Sequence, residues 1–526
     1  MSRDFQLPGR SPVIACEGMA ATSHPLATLA AIDSLRAGGN AADAAVVAVA
    51  ALGVIEPQST GIGGDCYCLV AQPNKPVWGY NGSGRSGAKA SGQLLREKGI
   101  AEIGNSIHAV TVPGAVDAWE AILKAHGRFG LDRALAPAIK YAEEGFPVTA
   151  RVVWDWQRHA GRLKGDPGSS RHYLFNGTAP KEGDVIRFPA LAATLKTIAA
   201  KGARAFYEGE IAEDMVRTLG ARGSFLSAED FARHRGNAVD PISTNYRGMD
   251  VLEIPPNGQG LTALVMLNIL ENFDVRSLEP FGPDRFHVVL EAARLAYAIR
   301  DTHIADEAHM CTPVASLLDK SFSKKLAARI DMKKHVKMPS APAPGDDTVY
   351  LTVVDRDRMA VSFINSLYSN FGVGLCTEKT GILFTNRGAC FTLEPGHPNV
   401  FGPNKRPLHT IIPALAMRNG RCEMSFGVMG AHYQPMGHVQ IMLNMLDYDM
   451  DVQQAIDGPR FFFEGEQTSV ERGTPATTID GLQARGHNVV TTGSPWGGAQ
   501  TIKIDWDRGV LIAGSEPRKD GCALGY

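Results

Sequence analysis

The run Thr348-Val349-Tyr350-Leu351-Thr352-Val353-Val354 constrains the fold more than any other part of this 526-residue chain. Tyr350, Thr352 and Val354 fall on one face and Val349, Leu351 and Val353 on the other, the alternation of a strand with one strongly buried side. A charged turn, Asp355-Arg356-Asp357-Arg358, is followed by a second apolar run from Met359 to Ile364, so the two runs predict a hairpin. A hairpin centred near residue 357 sets position 348 opposite Ser366, give or take one residue. Upstream, Lys334 to Asp347 reads KHVKMPSAPAPGDD, whose Pro, Ala, Gly and charged residues build neither a core nor a ladder. That segment reads as a solvated linker.

Two hydroxyls facing each other at a strand end make a place where a reacting carbonyl can sit. A threonine hydroxyl is inert near neutral pH unless a base adjoins it. Cutting the chain between Asp347 and Thr348 would supply one, because a free α-amino group titrates near ~7.7–8 and can take the hydroxyl proton and return it to a leaving amine. Taken alone, Thr348 is an ordinary β-former.

Elsewhere the chain is helix-rich first and strand-rich later. Ser23 and Pro25 cap and start a helix that stops at Gly38-Gly39, and Asn40 caps a second, Ala-rich helix to about Gly53. Amphipathic helices are predicted over Pro113 to Gly127, Asp132 to Gly145, Pro189 to Gly202, Phe286 to Ile304, Gly437 to Met445 and Pro475 to Arg485. Strands are expected in the 350s, 360s and 380s and at 411–417, 422–428, 500–505 and 509–513. No internal repeat or long low-complexity tract appears.

Several function classes lack support. With 53 basic and 55 acidic residues the net charge is −2, so no overall field draws the chain to nucleic acid or an anionic membrane. Ala44 to Ile55 is apolar but shorter than the ~20 residues of a membrane helix. The start, MSRDFQLPGRSPVIACEG, has charges and prolines where a secretory apolar core belongs, which predicts a cytoplasmic protein and makes the sequons at Asn81 and Asn176 chance matches. TGIGGD (Thr60 to Asp65) lacks a phosphate-loop lysine, and neither G-x-S-x-G nor H-E-x-x-H occurs. The eight cysteines show no C-x-x-C; Cys66 and Cys68 read as buried small residues, and neither disulfides nor a metal is expected. His432 and His438, six apart, read as packing or hydrogen-bonding residues. Nothing implies a cofactor.

Seven blocks in order carry a resemblance: GGNAADAA (Gly38 to Ala45), VIEPQSTGIGGD (Val54 to Asp65), DDTVYLTVVD around Thr348, NFGVG (Asn370 to Gly374), GILFTN (Gly381 to Asn386), GPNKRPL (Gly402 to Leu408) and GSEPRKDGCALGY (Gly514 to Tyr526). Together they span nearly the whole chain, which resembles the gamma-glutamyltransferase family of N-terminal-nucleophile hydrolases. The resemblance implies an α+β fold, a four-layer αββα sandwich, built as one domain from a large fragment 1–347 and a small fragment 348–526 after self-cleavage between Asp347 and Thr348. It implies a heterodimer of those fragments, with further pairing left open, acting on a small-molecule amide.

Residue by residue, the resemblance makes Thr348 the nucleophile, Ser366 the second hydroxyl, and Met429-Gly430-Ala431 the turn whose Gly430 and Ala431 amides serve as oxyanion donors. The positions that hold a γ-glutamyl α-ammonium in the family are Tyr368, Arg387 and Cys390 here. Losing an acid and gaining a guanidinium moves the local charge by about two units; a unit pair at ~4 Å and an effective dielectric of ~20 is worth roughly 4 kcal/mol at most. On the carboxylate side the family's paired serines are His409 and Thr410, and its arginine has no clean match, although Arg85 stands two residues away. Arg85 or Arg387 is then expected to clamp a carboxylate. The leading expectation is an autoprocessing amidohydrolase for a small anionic amide, resembling the family's oxamate amidohydrolase branch. The alternatives are a gamma-glutamyl hydrolase or transferase, a glutaryl-type acylase, and an uncut, non-catalytic member.

Overall fold

A computed structural model describes residues 9–336 and 347–526. Most of the linker expected at Lys334 to Asp347 lies outside them. Two seven-stranded sheets stack face to face. The first has the strand order Cys522–Gly525, Met19–Thr22, Asp347–Val354, Ala360–Tyr368, Asp65–Ala71, Trp78–Gly82, Asn237–Val239. The second runs Val13–Ala15, Val510–Ser515, Gly498–Asp505, Arg421–Met429, Ala414–Arg418, Met249–Glu253, Ile242–Tyr246. Every pairing in both is antiparallel.

The core between the sheets contains Tyr67, Tyr350, Ile364, Leu252, Ile411 and Ile502. The outer face of the first sheet is covered by the helix Ala41–Ile55, all fifteen residues of which are buried. A helix apolar on every side belongs inside a protein, and this one packs over Val349, Leu351 and Val353 of the strand Asp347–Val354. Helices Gly260–Leu270, Pro283–His303 and Gln434–Leu446 cover the second sheet. The result is the expected αββα sandwich. Among the described residues no helix is long and apolar enough to cross a membrane.

The expected hairpin forms, with Val353 opposite Val361 and Val349 opposite Asn365. A register shift between Asp347 and Val349 places the bulge at Thr348 itself. The strand is buried on both faces, where the sequence suggested one strongly buried side, because the second sheet covers the face carrying Tyr350. Three further expectations need correction. The cap of the helix Pro25–Arg36 is His24, whose Nδ1 accepts from the Leu26 amide, and not Ser23. The helix expected over Asp132 to Gly145 breaks into Leu131–Ala134 and Ala136–Glu144, with Pro137 in the first turn of the second piece, where its missing N–H costs least. The 380s are no strand: Leu383 makes one isolated bridge to Cys376, and Arg387–Cys390 is a 3₁₀ turn. The helix Ala41–Ile55 starts at its predicted cap, with Asn40 and Asp43 forming a capping box.

Candidate active site

Thr348 and Ser366 meet as the hairpin register requires, their hydroxyl oxygens 3.0 Å apart. Thr348 is 1% exposed and Ser366 is fully buried, so water reaches neither freely. The second hydroxyl is held from two further sides. The Tyr368 amide donates to Ser366 Oγ at 2.8 Å, and Arg387 Nη2 donates to the same oxygen at 3.3 Å. Beside this strand end runs TGIGGD, and its glycines have a steric reason. A Cβ on Gly64 would lie 2.3 Å from the Ser366 carbonyl oxygen, and one on Gly63 1.8 Å from that of Leu383. The loop lets backbones touch; it cradles no phosphate.

Arg387 is fully buried at the start of the 3₁₀ turn. Its Nη1 donates to Thr410 Oγ1 at 2.6 Å, and its guanidinium lies over the Tyr368 ring, 4.4 Å from the centroid. Tyr368 holds a left-handed backbone, φ 80°, a strained position for a bulky residue. That strain is the cost of aiming its phenol at His432, whose Nε2 is 3.2 Å away. Arg300 donates to His432 Nδ1 at 3.0 Å, so the imidazole proton sits on Nε2 and is donated to Tyr368. Gln259 completes the ring: its Oε1 accepts from Arg300 and its Nε2 donates to the carbonyls of Thr410 and Ala431. Burial, then Arg300 and Arg387, push the His432 pKa well down, and it is neutral.

His409 points elsewhere. Its Nε2 donates to Asp65 Oδ2 at 3.0 Å, while Asp65 Oδ1 accepts from the Gly84 amide at 2.9 Å. Burial, followed by the Arg387 charge, lowers the His409 pKa to about 3. Burial alone would raise the Asp65 pKa, but the bond from His409, the Arg387 charge and the Gly84 amide outweigh it and hold the carboxyl low. A histidine neutral in the fold but free to charge at ~6.5 when unfolded costs stability as pH drops below that value, because only the unfolded chain takes up the proton. His24 and His234, lowered to about 4 mainly by burial, and His409 therefore act in the same direction. Asp65 adds to the loss only when pH falls through its own depressed value. Thermal unfolding midpoints should fall steadily from pH 7 to pH 4, and His409→Gln should flatten part of that slope; a midpoint level across that range would contradict it.

The strand that leads to Gly430 and Ala431 packs against the one that begins at Thr348: Thr352 Oγ1 bonds Ser425 Oγ across the sheets at 2.6 Å, and the Tyr350 ring lies against Gly427. The turn follows Met429, at the end of that strand, and its Ala431 carbonyl accepts from Gln259. Gly430 (φ 117°) and Ala431 (φ 47°) make that turn before the helix Gln434–Leu446.

Of the residues singled out from sequence, Thr348, Ser366, Tyr368, Arg387 and Thr410 are joined by these contacts, Gln259 links the Ala431 carbonyl to that of Thr410, Gly430 precedes Ala431 in the turn, and His409 stands behind on Asp65. Cys390 is partly exposed and borders, with Tyr368, His432 and Arg300, a cleft of about 590 Å³. Arg85 is not brought to them. Its Nη1 contacts the Arg235 carbonyl at 3.5 Å. Sequence reasoning missed Arg300, Gln259 and Asp65, and gave His432 a structural part only. A second cleft, about 370 Å³, borders Gly430 and is lined by Trp154, Arg158, His159, Trp496 and Lys519.

Comparison with known proteins fits this geometry. Residues 27–526 match the gamma-glutamyltranspeptidase family model. The chain is 40% identical to the glutathione hydrolase-like YwrD proenzyme of Bacillus subtilis (strain 168), over 98% of this chain and 99% of that one. It is 33% identical to the oxamate amidohydrolase proenzyme of Klebsiella pneumoniae, again over 98% and 99%. Among solved structures it resembles cephalosporin acylase from Bacillus halodurans, with a TM-score of 0.94 and 38% identity over 100% of this chain and 99% of that chain.

Proposed function

From the premise that the chain belongs to the gamma-glutamyltranspeptidase family and is an amidohydrolase of it, we propose that it matures by cutting itself before Thr348 and then hydrolyses a small anionic amide of the oxamate type. In maturation Thr348 Oγ1 attacks the Asp347 carbonyl carbon, the peptide C–N bond breaks as the ester forms and frees the Thr348 α-amine, and water then hydrolyses the ester to the Asp347 carboxylate and the Thr348 hydroxyl. In turnover that amine takes the hydroxyl proton while Oγ1 attacks the substrate carbonyl. The Gly430 and Ala431 amides face the tetrahedral oxyanion, since backbone donors do not depend on the side chain. The amine returns the proton to the departing ammonia or amine, and water frees the acid from the acyl-threonine. The processed enzyme is then a heterodimer of residues 1–347 and 348–526.

The observation that carries the substrate class is the reach of Arg387. Its Nη2 is 3.3 Å from Ser366 Oγ, which is itself 3.0 Å from Thr348 Oγ1. A guanidinium two hydrogen bonds from the nucleophile suits a carboxylate attached directly to the scissile carbonyl. A γ-glutamyl group carries its carboxylate three carbons further off and brings an α-ammonium, which the Arg387 charge opposes. Rates on oxamate, longer monoamides and a γ-glutamyl anilide should fall in that order; preference for the anilide would overturn the reading. A second reading, an acylase for a bulkier amide, is favoured by the cleft beside Gly430, whose tryptophans and cations suit a large anionic leaving group. Faster release of amines larger than ammonia from one acyl group would select it.

A further inference from the structure

About the helix Pro283–His303, away from the residues above, lies a buried cluster that the proposed reaction does not use. His287 and Glu291 stand one turn apart on one helix face, and His487 comes to them from the residue before the strand Asn488–Thr491. His287 Nδ1 and His487 Nε2 are 2.8 Å apart, and one ring nitrogen of each histidine and a Glu291 carboxylate oxygen all lie within 4.8 Å of one another. All three residues are buried.

Each inward-facing atom is prepared by an outer partner. His287 Nε2 donates to the Asp331 carbonyl at 2.8 Å, which leaves Nδ1 as a lone pair. His487 Nδ1 faces Thr468 Oγ1 at 3.4 Å, so its proton can move there and free Nε2. Glu291 is held by His335 Nδ1 at 2.7 Å and by the Val336 amide at 3.2 Å. A second nitrogen tied to a backbone carbonyl or hydroxyl, and a carboxylate tied to a donor, are the outer contacts that orient metal ligands. Two guanidiniums stand near the cluster: Arg294, on which the charges of Glu291 and then Glu466 act, and Arg485, which pairs with Asp284.

We propose that His287 Nδ1, His487 Nε2 and a Glu291 carboxylate oxygen bind one divalent transition metal ion of the zinc class, with water as the fourth ligand. Two histidines and a carboxylate are a donor set that suits zinc, and Zn–N bonds of ~2.0–2.1 Å need the nitrogens only about 0.5 Å further apart than they stand. The ion would fix the strand Asn488–Thr491 and the segment ending at Val336 to the helix Pro283–His303. Because His287 and Glu291 precede Thr348 and His487 follows it, it would also tie together the two fragments of a processed enzyme; the site itself does not depend on processing.

The test uses the full chain, stripped with a chelator and dialysed against micromolar Zn²⁺ or Co²⁺. Wild type should hold one equivalent of zinc beyond the level of the His287→Gln/His487→Gln double variant, unfold several degrees higher with zinc than without, and give with cobalt the strong visible bands of four-coordinate Co²⁺. His335→Ala, which removes one of the two donors to Glu291 and the ring stacked on His487, should weaken binding roughly 10–100-fold. Wild type decides the matter even if a variant fails to fold. No cobalt bands in wild type, or equal zinc uptake by wild type and a folded double variant, would overturn the site.

Discussion

Replacing Thr348 by alanine should leave a single uncut chain and lower amide hydrolysis by a factor on the order of 10⁵–10⁶, the scale on which removal of a covalent nucleophile is felt. Both effects follow from one oxygen. Without Oγ1 nothing attacks the Asp347 carbonyl, so the α-amine that would act as base is never freed, and nothing attacks the substrate either. Intact-mass measurement reads the first effect and a rate assay the second. Thr348→Ser keeps the hydroxyl and should cut itself and turn over, more slowly, which separates loss of the nucleophile from loss of the fold. If the alanine variant still yields fragments 1–347 and 348–526, cleavage belongs to another residue or a protease. If wild type remains uncut on prolonged incubation, the enzyme reading fails with it.

Arg387→Gln should reduce kcat/KM on an anionic amide by about 2–4 kcal/mol, roughly 30–900-fold, while changing hydrolysis of an uncharged amide of similar size less than about tenfold. The difference between the two losses is the informative quantity. Arg387 touches Thr410, Ser366 and the Tyr368 ring, so some general loss is expected when it is shortened. Only pairing with a substrate carboxylate makes the charged substrate suffer more. Arg387→Lys keeps the charge but not the two-pronged donor, and should recover little. Equal losses on both substrates would reduce Arg387 to a residue that positions Ser366.

What was legible in the sequence was whatever is encoded locally or in a recurring block. The hairpin followed from period-two alternation either side of a charged turn, and the 3.0 Å meeting of Thr348 with Ser366 came directly from its register. Arg387 and Thr410 were reached through the blocks resembling the family. Arg85 rested on a position two residues from the family's arginine, and such an offset does not say where the fold carries the side chain. Arg300 and Gln259 were invisible for a different reason: one sits inside a long helix, the other before a wholly buried one, and their link to His432 closes only when helix, loop and sheet pack. Asp65 could have been suspected, since a carboxylate directly after Gly63-Gly64 at the start of a buried strand needs partners. The pair His287 and Glu291 stands at helical spacing, but its third member lies two hundred residues on.

The sheets join the earliest and latest strands: Val13 lies opposite Ala513 and Thr22 opposite Cys522, with Met19–Thr22 beside the nucleophile strand. On a ribosome adding ~5–20 residues per second, the final strands emerge roughly 10–35 s after Thr348. Thr348 and Ser366 can pair early, but Gly430 and the strands that hold it are still to be made. Self-cleavage should therefore follow translation, and a stalled nascent chain ending before Gly430 should stay whole.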